Sequence, residues 1–158
     1  MTDSAGNAKR YSFRLLSYRA RSERELRERL EKKGFPEEVI SSTLKSLVRS
    51  GFLDDRALAS NLKRQAFENK LLGYEGAKSF MMKRGLSREV VESALGYDED
   101  TEARNIQKLL DKKLKSMGNY LTEGEQKRLW SFLARRGYSF GIIKKALREL
   151  KFNKEEEE

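Results

Sequence analysis

Apolar residues recur along this chain at helical spacing, and no stretch alternates apolar with polar for long enough to form a strand. One pattern occurs three times without a gap: LEKKGFPEEVISSTL from Leu30, MMKRGLSREVVESAL from Met81 and LARRGYSFGIIKKAL from Leu133. The glycines fall at Gly34, Gly85 and Gly137, 51 and then 52 residues apart. Apolar residues follow each glycine (Phe35, Leu86, Tyr138), then apolar pairs (Val39–Ile40, Val90–Val91, Ile142–Ile143) and a closing leucine (Leu44, Leu95, Leu147). A glycine just past a helix takes the left-handed conformation that ends it, and the next residue then packs back on the helix. The apolar pairs that this geometry requires are present: Leu30–Phe35, Met81–Leu86 and Leu133–Tyr138.

Helix starts are equally legible. Ser22 and Glu25 form an S-x-x-E capping box, Asp54 and Asp55 follow Gly51, Ser87 and Ser139 follow the later glycines, and Pro36 suits a first-turn position. The pattern predicts helices over 10–20, 23–33 and 36–50, then 55–69, 74–84 and 88–96, then 99–117, 123–136 and 139–151. The expected fold is all-α, three tandem three-helix repeats forming an elongated, curved array. Its expected parts are a flexible N-terminus (1–9), repeats at 10–52, 53–97 and 98–151, and an acidic tail (152–158). GYDEDTE (96–102) and SMGNYLTEGE (116–125) read as flexible connections. A unit of about 50 residues buries a small core, and stacking on neighbours supplies the rest.

Composition narrows the chemistry. The 158 residues include no histidine and no cysteine, which removes the commonest general base, thiol nucleophiles and Cys-ligated metal sites. No apolar run approaches the roughly 20 residues that span a bilayer, and MTDSAGNAKRYSF has no apolar signal-peptide core. The expectation is a cytoplasmic protein without a membrane partner. No phosphate-binding glycine loop occurs. Asp54–Asp55 and Asp98–Glu99–Asp100 could hold Mg²⁺ in principle, but both stand at predicted helix starts, where carboxylates act as caps. We expect no metal, no cofactor and no enzymatic activity.

The net charge is +9, unevenly spread. Lys9–Lys33 holds ten basic and four acidic residues, Arg104–Lys151 thirteen and four, and the stretch between them ten and twelve. Clustered Lys and Arg exchange counterions with phosphates, so both basic ends point to a polyanion. A basic doublet precedes each repeat glycine: Lys32–Lys33, Lys83–Arg84 and Arg135–Arg136. Such cations either complement the negative end of the helix dipole or meet a partner. The contact candidates are Arg21, Arg24, Arg27, Lys32 and Lys33 in the first repeat. In the third they are Lys127, Arg128, Arg135, Arg136, Lys144, Lys145 and Arg148. Phe13, Phe35, Phe52, Trp130 and Phe132 read as core, whereas Tyr11, Tyr18, Tyr74 and Tyr120 are open to stacking on bases or to an interface.

The string RARSERELRERLEKKGF, then GFLDD at Gly51–Asp55, then a helix opening at Gly73 and ending in KRGL, resembles the RecX family. The resemblance runs from Tyr11 to Leu150, and its most specific parts are R-x-x-S-E-x-E-L at Arg19–Leu26 and G-F-L-D-D. It implies three three-helix repeats and a bacterial regulator that binds RecA and the RecA–ssDNA filament groove. Such a regulator modulates, and usually inhibits, recombinase and coprotease activity, with no catalytic residues to carry over. The tetraglutamate at the C-terminus is not part of the family pattern. A monomer that modulates the filament, ATP hydrolysis included, is the expectation. The rival is a stand-alone helix-turn-helix-like protein that binds DNA directly.

Overall fold

The computed structural model describes residues 3–117 and 121–155, the last five by backbone alone. Nine α-helices and one π-helical turn make up the regular structure of these residues, with no strand among them. The helices are α1 (Ser4–Tyr18), α2 (Glu23–Lys33), α3 (Glu37–Arg49), α4 (Asp55–Arg64), α5 (Tyr74–Lys83), α6 (Arg88–Leu95), α7 (Glu99–Leu114), α8 (Glu123–Arg135) and α9 (Phe140–Glu155). The π-helical turn, Gln65–Asn69, continues α4, and the Lys70 N–H reaches back to the Gln65 carbonyl.

The three glycine turns are as the repeat requires. Gly34, Gly85 and Gly137 have φ of 96°, 86° and 88°, and the following residues Phe35, Leu86 and Tyr138 bond back to the carbonyls of Leu30, Met81 and Leu133. The Ser22–Glu25 capping box is formed, and Thr122–Glu125 makes a second one that the repeat pattern did not single out. Pro36 is the N-cap of α3, one position before the first helical turn.

Three expectations are corrected. α1 starts at Ser4, because the Asp3 side chain accepts from the Gly6 N–H, so 4–9 are helical and Ala8 is fully buried. The connection expected over 96–102 shrinks, since Asp98 caps α7 and Glu99 begins it. Phe13 and Phe52 are exposed and stand edge to face, with ring centroids 4.9 Å apart. Tyr120 and the side chains of the acidic tail lie outside the described residues.

The chain packs as two compact units that divide the middle repeat between them. The first comprises residues up to Leu62 together with Met81–Ala94. Its main core is Leu15 from α1, Leu26 and Leu30 from α2, and Ile40, Leu44 and Leu47 from α3, with Ala8 and Leu53. Leu26–Leu30 and Ile40–Leu44–Leu47 are i,i+4 and i,i+4,i+7 sets, the single apolar face that an amphipathic helix offers a neighbour.

The second unit comprises Lys63–Phe80 and the chain from Leu95. Its core draws Ile106, Leu109 and Leu110 from α7, Leu129 and Leu133 from α8, and Ile143 and Ala146 from α9, with Leu71 and Tyr138. Leu71 has φ of 51°, which costs a non-glycine residue about 1 kcal/mol. Burial of its side chain, about 2 kcal/mol for a leucine, offsets that strain. The Tyr138 hydroxyl also donates to the Leu71 carbonyl at 2.6 Å. Burial pushes the Tyr138 phenol well above the ordinary tyrosine range, so this donor stays protonated.

Backbones meet closely at one place in the second unit. The Gly73 N–H donates to the Arg136 carbonyl at 2.9 Å, and Gly76 and Gly137 lie against each other. A Cβ on Gly76 would overlap the Arg136 carbonyl oxygen, although a helical glycine is ordinarily improved by alanine by about 1 kcal/mol. Gly76→Ala is therefore expected to destabilise the chain by about 2 kcal/mol. Gly141→Ala, in α9 where an added Cβ meets nothing within 4 Å, should be neutral or stabilising. Thermal and urea unfolding of the two variants checks the contrast.

Candidate nucleic-acid interface

The candidate cations divide into those engaged within the fold and those left exposed. The largest commitment is a junction that occurs once in each unit. In the first, the buried Ser22 hydroxyl donates to the Arg84 carbonyl at 2.6 Å while accepting from the Glu25 N–H. Arg84 Nη2 donates to the Ala20 carbonyl at 3.0 Å, and Arg84 Nε lies 3.2 Å from Glu25 Oε2. In the second, the Arg136 carbonyl accepts from Gly73 N–H and the Arg136 guanidinium donates to the Lys70 carbonyl. Each arginine is the second member of a basic doublet, and each seats its glycine turn on the N-terminus of the preceding repeat's middle helix.

A carboxylate from the next repeat's first helix completes each junction. Asp55 Oδ1 accepts from the Glu23 N–H at 2.9 Å, capping α2, and Glu102 Oε1 accepts from the Tyr74 N–H at 2.7 Å, capping α5. The Arg19–Leu26 motif and the GFLDD motif thus converge on the N-terminus of α2, with Arg19 2.9 Å from Glu25 and Leu26 and Leu53 buried. The acidic pairs serve as caps: Asp54 accepts from the Arg56 and Ala57 N–H groups, and Asp98 from the Asp100 N–H and the Thr101 hydroxyl.

The first-repeat candidates are mostly engaged. Arg24 pairs with Glu28 at 3.2 Å and Arg27 with Glu37 at 2.7 Å, and Lys33 lies over the Tyr11 ring. Arg21 Nε donates to the Leu15 carbonyl, and burial, with Arg19 and Arg29 nearby, lowers its pKa. Lys32 is exposed, with no ion pair among the described residues.

In the third repeat, Lys127 pairs with Glu123 and Arg136 belongs to the junction, also lying over Phe132. Arg128, Arg135, Lys144, Lys145 and Arg148 are exposed and make no ion pair among the described residues. Arg128 and Arg135 are seven apart on α8, and Lys144 and Arg148 four apart on α9, so each pair shares a helix face. Of the aromatics, Trp130 and Phe132 pack partly on the second unit's core and Phe35 on the first's. Tyr18 is exposed, and Tyr74 stands edge to face with Tyr97.

One further cationic cluster escaped the sequence reading. Lys63 and Arg64 at the end of α4 and Arg104 and Lys108 on α7 line a common groove. Arg104, Lys108 and Lys112 at i, i+4, i+8 were the available signal, but the other wall lies some forty residues away in the chain.

Two three-helix cores built around arginine–glycine junctions define a tandem helical-repeat protein. Residues 8–47 match the family description "RecX, first three-helix domain" and 100–147 match "RecX, third three-helix domain". Regulatory protein RecX of Amycolatopsis mediterranei (strain U-32) is 35% identical over 147 residues, covering 90% of this chain and 84% of that protein. The Regulatory protein RecX of Clostridium botulinum (strain Alaska E43 / Type E3) is 30% identical over 134 residues; the match spans 82% of this chain and 61% of that longer protein. The crystal structure of RecX from Lactobacillus salivarius superposes with a TM-score of 0.81 at 21% identity, covering 96% of this chain and 99% of that one, and shares the fold. The chain belongs to the RecX family. That is a family of regulatory proteins and not of enzymes, and no helix among the described residues is long and apolar enough to cross a membrane.

The junction carboxyls make a matched pH prediction. Burial pushes the Glu25 carboxyl up, but the Ser22 N–H and the guanidinium groups of Arg84 and Arg19 outweigh it and hold it below the ordinary range. Its stabilisation is present above about pH 4 and is lost as pH falls through the lowered value. Glu102 is the reverse: burial, helped by Glu75 and Glu99, raises it against the Tyr74 N–H. Its contribution is present in acid and is lost as pH rises through the raised value. Glu25→Gln is expected to cost about 1–2 kcal/mol at neutral pH. Glu102→Gln should gain up to about 1 kcal/mol there. Both differences should vanish in acid, as read by urea unfolding across pH.

Proposed function

We propose that this chain is a non-enzymatic regulator that binds RecA and the groove of the RecA–ssDNA filament, and that it inhibits recombinase, ATPase and coprotease activity. The observation that carries this reading is the set of exposed cations on α8 and α9 that make no ion pair among the described residues: Arg128, Arg135, Lys144, Lys145 and Arg148. Membership of a family of regulatory proteins supports it. Cations free of internal partners keep their counterions until an anion displaces them, and that release favours a polyanionic nucleoprotein. Several modest contacts on one chain gain from effective concentration, so a filament with repeated sites binds better than a free protomer. Occupying the groove would exclude the incoming homologous strand and the repressor together. The protein acts in this reading as a cytoplasmic monomer.

Titration into preformed RecA–ssDNA filaments, followed by ATP hydrolysis and strand exchange, tests the proposal. Wild type should inhibit both. Reversing Arg128, Arg135, Lys144 and Lys145 to glutamate should raise the half-inhibitory concentration by about tenfold or more with helicity unchanged. Filaments indifferent to the wild-type protein, or tight duplex binding without RecA, would overturn the reading.

A further inference from the structure

The groove in the second unit holds about 400 Å³, within the roughly 300–1,000 Å³ typical of ligand clefts. Its walls are the end of α4 with the π-helical turn on one side and α7 on the other. Lys63 and Arg64 come from the first wall and Arg104 and Lys108 from the second, against the single carboxylate of Glu68. None of the four cations forms an ion pair among the described residues; Arg104 bonds only the Thr101 hydroxyl, at 3.3 Å. Like charges gathered in one groove repel until an anion enters.

A second, independent feature points the same way. Asn105 lies on the α7 wall and is 5% exposed, yet its amide Nδ2 has no hydrogen-bond partner. A buried N–H without an acceptor is costly, so the α7 wall carries an unmet polar group beside the cations. Phe67, at the centre of the π-helical turn, lines the same groove and adds an aromatic surface beside the cations.

We propose that this groove binds a nucleotide unit of single-stranded nucleic acid, its phosphodiester held by Lys63, Arg64, Arg104 and Lys108 and its base against Phe67. A phosphodiester presents the paired oxygens that arginine forks recognise. An unpaired base offers both a π-face and edge acceptors, whereas in a duplex these faces are stacked away. An acidic peptide would satisfy the cations but would leave Phe67 unused. The site deepens the nucleoprotein reading above without depending on it, because RecA takes no part in the binding.

Fluorescence anisotropy of a labelled oligothymidylate with the full chain alone, across a salt series, tests this directly. Arg104→Ala/Lys108→Ala should weaken binding about tenfold and reduce the slope of log affinity against log salt by about 1–2. Phe67→Leu should weaken it about tenfold with the slope unchanged. Lys45→Ala/Arg49→Ala removes the same charge from the exposed side of α3 and should change little. Equal loss in the groove pair and the α3 pair would overturn the proposal, as would unaltered binding by Phe67→Leu. Competition by polyglutamate as effective as by unlabelled oligothymidylate would assign the groove to an acidic protein, and competition by thymidine monophosphate at similar phosphate concentration would assign it to a free nucleotide. Loss of strand binding with filament inhibition retained separates this site from the RecA reading.

Discussion

The fold depends on one kind of contact, the end of one middle helix set on the start of another. The last carbonyls of a helix and its first N–H groups lack partners within it, and the two ends carry opposite partial charges. Bringing them together satisfies both. In the first unit Ser22 mediates the contact, bonding the Arg84 carbonyl while capping α2. In the second the Gly73 N–H bonds the Arg136 carbonyl without a side chain between them. In both, the arginine guanidinium reaches a carbonyl just upstream of the capped helix, Ala20 or Lys70, and a carboxylate from the next repeat takes the first N–H. The glycine after each arginine is required twice over, for its positive φ and because a side chain would strike the partner: a Cβ on Gly85 would come 2.6 Å from Ser22 Oγ.

These junctions separate residues that hold the repeats together from residues that the fold leaves exposed. Arg84 and Arg136 belong to the fold, while their doublet neighbours Lys83 and Arg135 face solvent. The doublet of the first repeat stands apart, with Lys32 exposed and Lys33 lying over Tyr11. What the repeats share is therefore architecture, and what distinguishes them is the set of cations outside the shared pattern. The groove of Lys63, Arg64, Arg104 and Lys108 belongs to this second group, since all four lie outside the fifteen-residue pattern.

Much of the fold was legible because its punctuation is local. A glycine between a basic doublet and an apolar residue, or a serine three before a glutamate, acts within one turn of chain, and the boundaries from α2 to α8 follow it closely. Failures came where a distant or unusual partner decides. Phe13 and Phe52 look like core residues but pack on each other at the surface. The π-helical turn follows no local cue in QAFEN, and Leu71 takes its left-handed backbone because Tyr138 and the second core hold it there. The candidate interface was only partly legible for the same reason. Clustering by sequence finds Lys144, Lys145 and Arg148, but it cannot distinguish Arg135, free, from Arg136, clamped to Lys70. Nor can it unite two walls of a groove that meet only after folding.

The two junctions also differ in what holds them, and that difference bears on binding. At the first, the Glu25 carboxylate sits between Arg19 and Arg84, so charge is part of the lock. At the second, closeness of Gly73, Gly76 and Gly137 does the holding, and the buried Glu102 faces like charges from Glu75 and Glu99 instead of a cation. Four arginines of the first unit already neutralise carboxylates: Arg19 and Arg84 with Glu25, Arg24 with Glu28, Arg27 with Glu37. A phosphate that binds one of these arginines must first displace its carboxylate. In the second unit the backbone carries the junction, and Arg128, Arg135, Lys144, Lys145 and Arg148 make no ion pair among the described residues. An anion that meets these five side chains displaces no carboxylate among the described residues, whereas one that meets Arg24 or Arg27 displaces Glu28 or Glu37.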